Sequence, residues 1–187
     1  MTRYLILVDH LSAWVGKAFG WMIVGLTGVV TYDVVMRYLF SAPTRWAFDV
    51  SYILYGTLFM MAGAYTLSRN GHVRGDMFYR KWPVKTQAAV DLLLYLSFFL
   101  PGVLALVWAG EQFATVSRLV NERSSSSPGG PIIWPFKYII PIAAFFMLLQ
   151  GLVEILRCIE AIRTGEWPER LSDVEETETR LARESQM

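Results

Sequence analysis

The sequence VSYILYGTLFMMAGAYTLS, residues 50–68, carries no charge, and RNGHVRGDMFYRKW, residues 69–82, comes directly after it. The second stretch holds Arg69, His72, Arg74, Arg80 and Lys81 against one acid, Asp76. About 20 apolar residues are needed for a helix to cross the roughly 30 Å hydrocarbon core of a bilayer. An uncharged run of 19 residues that stops in a basic knot therefore reads as a spanning helix that ends among anionic headgroups, where Arg and Lys extend their heads while their stems stay apolar.

The rest of the chain repeats this pattern. Residues 92–110 form a second uncharged run of 19; residues 18–36 are interrupted only by Asp33; residues 138–153 are extended to spanning length by residues 132–137. Of the 187 residues 54% are hydrophobic and the mean hydropathy is +0.37, above the roughly 45–50% apolar content of soluble domains. The expected fold is an all-α membrane protein of four transmembrane helices, with spans at about 14–37, 48–69, 88–116 and 133–157. A soluble protein with four buried core helices would need far more chain to cover them. The first apolar run is too long for the core of a signal peptide, and Arg37, Tyr38 and Phe40 come after it where a small-residue cleavage site would stand, so it is expected to be retained. Residues 1–163 form the membrane domain and 164–187 an acidic tail.

Four spans put both ends of the chain on one side. That side collects Arg3, Lys17, Arg69, Arg74, Arg80, Lys81, Lys85, Arg157 and Arg163; the other has Arg37, Arg45, Arg118, Arg123 and Lys137. The richer side is expected to be cytoplasmic. Asp76 is placed to cap a short interfacial helix from Met77 to Trp82, Pro83 suits the first turn of the next helix, and Pro101 should kink that helix in mid-span. Residues 121–131, NERSSSSPGGP, read as a flexible polar loop, and Pro131, Pro135 and Pro141 around Trp134 as an irregular start to the last helix. From Gly165 the chain has seven acids and three arginines, a net of −4, and reads as a fraying helix or a disordered tail.

Little chemistry is encoded. The single cysteine, Cys158, has no disulfide partner, no metal spacing occurs, and a net charge of +1 suggests no nucleic-acid partner. No nucleotide loop or nucleophile motif is present, so the chain is not expected to be an enzyme or to hold a cofactor. Asp33 with Arg37 and Arg45 with Asp49 stand four apart, the spacing of helical ion pairs, at the outer end of the first hairpin with Trp46 between them. Glu111, Glu154 and Arg157 read as boundary residues, and with no acid at the middle of a span a proton or ion path is not expected in this chain. His10 and His72 near the cytoplasmic face leave open an alternative, the membrane anchor of a redox complex with a haem at that face. Gly16 and Gly20, Ala105 and Ala109, and Gly56 and Gly63 have the spacing of helix-packing faces.

Three segments resemble the small membrane subunit, the DctQ-like component, of tripartite ATP-independent periplasmic (TRAP) transporters. The first, residues 33–56, has Arg37-Tyr38, Pro43, Trp46 and Asp49, the last often Glu in the family. The second, residues 63–79, matches a His-Val-Arg-x-Asp signature with His72, Arg74 and Asp76, although Gly75 stands where a small apolar residue is usual. The third, residues 117–157, matches Glu-x-Ser, Trp-Pro and Ile-Pro-Ile patterns before a Leu-Gln helix. The resemblance implies a scaffold in a bacterial inner membrane. Its partners would be a large elevator-type subunit that carries the substrate and sodium sites, a periplasmic substrate-binding protein that docks transiently, and membrane lipids. It implies interface or lipid contacts for Arg69, His72, Arg74 and Asp76 on the cytoplasmic side. Arg37, Trp46 and Asp49 would be structural or docking contacts on the periplasmic side.

Overall fold

The computed structural model describes residues 2–69, 79, 81–127 and 129–168. They are helical almost throughout, with no strand among them. Helix α1 (Thr2–Gly20) runs into α2 (Met22–Leu39) through a break at Trp21; α3 is Ala47–Ser68; α4 (Val84–Leu94) continues through a π-helical turn (Tyr95–Phe99) into α5 (Leu100–Leu119); a short α6 (Trp134–Lys137) leads into α7 (Ile139–Thr164). Four helical segments are long and apolar enough to cross a membrane: Leu5–Leu39, Ala47–Ser68, Val84–Leu119 and Trp134–Thr164. At 1.5 Å per residue the 36-residue Val84–Leu119 segment is about 54 Å long against a core of about 30 Å. Part of it therefore stands outside the hydrocarbon.

The spans form a row. α3 and α7 pack together at its centre, α1 and α2 lie on the far side of α3, and α4 and α5 lie on the far side of α7. α1 also leans across the α3–α7 seam, where Val15, Met61 and Ala143 make a small core with Phe19, Met60, Ile139 and Phe146. Among the described residues no extended interface joins the first span to the third. Away from that seam much of the row stays uncovered: none of the described residues of α2 is fully buried, and α3 exposes Phe48, Tyr52, Tyr55 and Phe59 along one face.

Close approach to α7 and α3 uses glycine. A Cβ on Gly16 would stand 2.4 Å from Tyr65 Cβ, and one on Gly151 would stand 2.2 Å from the Phe99 ring. Gly56 meets Phe136, Gly63 meets Met147 and Gly110 meets Ile140 in the same way. Only part of the packing expected from spacing forms. Gly20 has nothing within 4 Å, and Ala105 and Ala109 face outward. They lie opposite the face of α5 that meets α7.

Pro101 has its effect one turn early. Its ring would collide with the Ser97 carbonyl in a regular helix, and the preceding residues widen into the π turn, where Leu100 N–H donates to Tyr95 O. A single π turn inside a helix is a common accommodation of this kind. α5 ends in a Schellman motif: Asn121 takes φ 48°, Glu122 N–H donates to Ser117 O at 3.0 Å and Asn121 N–H to Arg118 O at 3.1 Å, satisfying the last carbonyls. α7 ends at Gly165 with φ 83°. The short helix expected from Met77 to Trp82 lies outside the described residues except for Tyr79, Lys81 and Trp82.

Candidate functional site

Two polar clusters hold the row, one at each end. At the end that carries both termini, Asp9 and Ser12 project from the inner face of α1 toward Gln150, Glu154 and Arg157 on α7, and all five are buried. Ser12 Oγ donates to Gln150 Oε1 at 2.9 Å, and Gln150 Nε2 donates to Asp9 Oδ1 at 2.8 Å. Arg157 Nη1 donates to Glu154 Oε1 at 2.7 Å and to Asp9 Oδ1 at 3.3 Å, while its Nη2 donates to Asp9 Oδ2. The spacing 9, 12 on α1 and 150, 154, 157 on α7 puts each set on one helix face, and the antiparallel course of the two helices matches them in register. Glu154 and Arg157, expected to be boundary residues, are instead fully enclosed. Asp9 had no signal in its own neighbourhood, because its partner is 148 residues away.

At the opposite end, Asp33 pairs with Arg37 at 2.7 Å, as the spacing predicts. It also accepts from Thr44 N–H at 3.1 Å and from the Thr44 hydroxyl, closing the turn between α2 and α3. Trp46 precedes α3 and stacks on Tyr32, ring centroids 5.9 Å apart. Asp49 departs from expectation. It is 2% exposed and accepts from the hydroxyls of Ser124 and Ser127, not from Arg45, whose side chain is in solvent. A carboxylate at the first turn of α3 also meets the positive end of the helix. The serine loop is thus fastened rather than flexible. Ser124 N–H donates to Pro131 O, Ile133 N–H to Glu122 O, and Arg123 to Gly130 O. Lys137 Nζ bridges to Glu122 Oε2 at 2.5 Å and lies 3.9 Å from the centre of the Phe113 ring. The hydrogen bond from Lys137, reinforced by its charge, holds the Glu122 carboxyl below its ordinary range.

Of the residues expected at the terminal end, Arg69 closes α3, its guanidinium 5.7 Å from the centre of the Tyr65 ring. His72, Arg74 and Asp76 lie outside the described residues. His10 is on the exposed face of α1, away from the buried cluster, which does not favour the redox-anchor alternative. Among the described residues no group of three or more His, Cys, Asp and Glu is placed to hold a metal ion.

These features define a multi-span membrane subunit whose polar residues fasten its own helices and loops to one another. The sequence profile described as "Tripartite ATP-independent periplasmic transporters, DctQ component" matches residues 26–161, and the chain belongs to this family. It is 24% identical over 144 residues to the sialic acid TRAP transporter small permease protein SiaQ of Vibrio cholerae serotype O1, a match that covers 75% of this chain and 79% of that protein. The chain is a TRAP transporter component, a multi-pass protein of the inner membrane, and its family is not an enzyme class.

Proposed function

We propose that this chain is the static scaffold of a TRAP transporter, pairing with a large elevator-type subunit for ion-coupled uptake of an organic acid delivered by a periplasmic binding protein. The observation that carries this reading is the open row of helices. A row with this much exposed apolar side chain has surface to offer a larger membrane partner, and α2 and the aromatic face of α3 present part of it. Aromatic side chains are enriched in the central parts of protein interfaces. The relative named for sialic acid supports an organic acid as the cargo. Sodium, if it is the coupling ion, belongs to the large subunit.

In this reading the termini are cytoplasmic. Arg37, Trp46 and Asp49 order the periplasmic face near the docked binding protein, and Arg69, His72, Arg74 and Asp76 order the cytoplasmic face against the large subunit or lipid. The test is a mild-detergent pull-down of the tagged chain from its own membrane, followed by mass spectrometry. One large multi-span partner in equal amount is the expected result. A flavin or iron–sulfur protein in its place would sink the scaffold reading, as would recovery of the chain alone. Arg74→Ala should lower assembly or uptake and leave substrate preference unchanged.

A further inference from the structure

The uncharged stretches of the four spans do not lie side by side. They are bounded by Lys17 and Asp33 on α1 and α2, by Asp49 and Arg69 around α3, by Lys137 and Glu154 around α7, and by Asp91 and Glu111 on α4 and α5. Contacts at the glycines set how the helices stand against one another. Gly16 meets Tyr65, and Gly63 meets Met147. α3 and α7 run in the same direction and α1 runs against both, so Lys17 is level with Leu148 of α7. Phe99 meets Gly151 and Lys85 meets Gly165, so Asp91 is level with Ile159. Arg69 falls between the two, level with Val153. From Lys17 to Asp91 the uncharged edge therefore steps eleven residues along the helix axes, about 16 Å. The opposite edge steps the same way. Tyr32 stacks on Trp46, which sets Asp33 about four residues outside Asp49. Gly110 meets Ile140, which sets Glu111 about six residues inside Asp49. The two edges are parallel, and both slope toward the end with the termini on going from the first span to the third.

A bilayer has parallel faces, and charge inside it is costly. Three interhelical spacings of roughly 8–10 Å make the row about 27 Å wide. A step of about 16 Å across that width is a slope of about 30°, within the roughly 0–40° range of membrane helices. We propose that the surface this chain presents to phospholipid is an inclined band. The helices lean by about 30° in the plane of the row. Lys17, Arg69 and Asp91 then meet the headgroups of one leaflet, and Asp33, Asp49 and Glu111 those of the other. The lean puts Trp14, exposed three residues before Lys17, at the headgroup level that indole rings favour. Tyr79, whose hydroxyl donates to Asp91 at 2.7 Å, comes to the same level. Asp9 stands eight residues before Lys17, so its buried pair with Arg157 lies at the membrane edge and not within hydrocarbon. This orientation follows from the spans alone, whichever partner the row of helices binds.

Two pairs of exposed residues test it. Leu7 on α1 and Leu93 on α4 are level with each other along the helix axes, as are Val30 on α2 and Leu119 on α5, and all four are exposed. A nitroxide is attached in turn at Leu7→Cys, Leu93→Cys, Val30→Cys and Leu119→Cys of the full chain, in nanodiscs of phosphatidylcholine and phosphatidylglycerol. Cys158 is buried and stays unlabelled. Depth is read from the ratio of collisions with oxygen to collisions with a nickel chelate. Leu93 should lie about 13 Å deeper than Leu7, and Val30 deeper than Leu119 by a similar amount, the rise of a slope of about 30° across the row. Equal depths within both pairs would overturn the proposal in favour of upright helices. Leu7 deeper than Leu93, or Leu119 deeper than Val30, would overturn the sense of the lean. Exclusion of both reagents at Leu93 and Val30 would overturn the lipid contact in favour of a second copy over the band. The two pairs report separately, so a variant that fails to fold leaves the other pair decisive.

Discussion

Arg157 on α7 closes on the Asp9 carboxylate of α1 through both of its terminal nitrogens, with both side chains fully buried. This contact, with Gln150 beside it, fastens the N-terminal half of the first helix to the centre of the row. Such a group is costly to disturb, because removing one member strands the others. Arg157→Ala leaves Asp9 and Glu154 enclosed without their guanidinium and should destabilise the fold by about 3–5 kcal/mol. Asp9→Asn keeps an acceptor and should cost clearly less. Thermal unfolding in detergent, followed by fluorescence-detected size exclusion, distinguishes the two; a midpoint for Arg157→Ala equal to that of the unaltered protein would rule out the network as a major tie.

The glycines separate in the same assay. A Cβ on Gly16 would press on Tyr65 Cβ, which cannot swing aside without moving α3, so Gly16→Ala should cost about 1–3 kcal/mol. Gly20, four residues on, has open space. Gly20→Ala should be neutral or gain up to about 1 kcal/mol from helix propensity. Matching losses at the two sites would mean that both face the same helix.

Asp49 should govern the serine loop. Asp49→Ala removes the acceptor of two hydroxyls and should raise hydrogen exchange across residues 121–131, at a cost of about 1–3 kcal/mol. Arg45→Ala should change stability by less than about 0.5 kcal/mol. The reverse order of effects would restore the Arg45–Asp49 pair suggested by spacing.

Glu122 gives that loop a pH dependence. Its carboxyl titrates below the ordinary value of 4.5, chiefly because Lys137 donates to it. A depressed folded pKa contributes stability that is fully present above the ordinary value and is lost as pH falls through the lower, folded one. Exchange in residues 121–133, corrected for intrinsic chemistry, should therefore be constant from neutral pH down to about 4.5 and rise below it. Glu122→Gln should be faster at neutral pH and lack the acid step. A wild-type profile flat through the acid range would remove the bridge from the account.

Much of the fold was legible because its causes are local. Uncharged runs near 20 residues can do little else than cross a bilayer, Pro101 cannot continue a regular ladder, and Asp33 finds Arg37 one turn away. The candidate sites were legible only where they are local too. The resemblance pointed to Trp46 and Asp49, but Asp49 chose the serines over Arg45. Two hydroxyls brought to a buried carboxylate satisfy it inside the protein, whereas an exposed arginine in water gains little by pairing.

By itself, then, the sequence determined the number of spans, the disturbance at Pro101, the local Asp33–Arg37 pair and the family. Each comes from the cost of charge in hydrocarbon, from backbone geometry at Pro, Gly and Asn, or from motifs that lie within a few turns of one another. Tertiary structure alone decided the order of the helices in the row and the use of Gly16 but not Gly20. It also decided the union of Asp9 and Ser12 with Gln150, Glu154 and Arg157. These depend on which faces meet, and a helix has the same residues on a face whether that face turns to lipid or to a neighbour. For Asp9 the difference is a buried partner 148 residues away, set by the packing of α1 on α7.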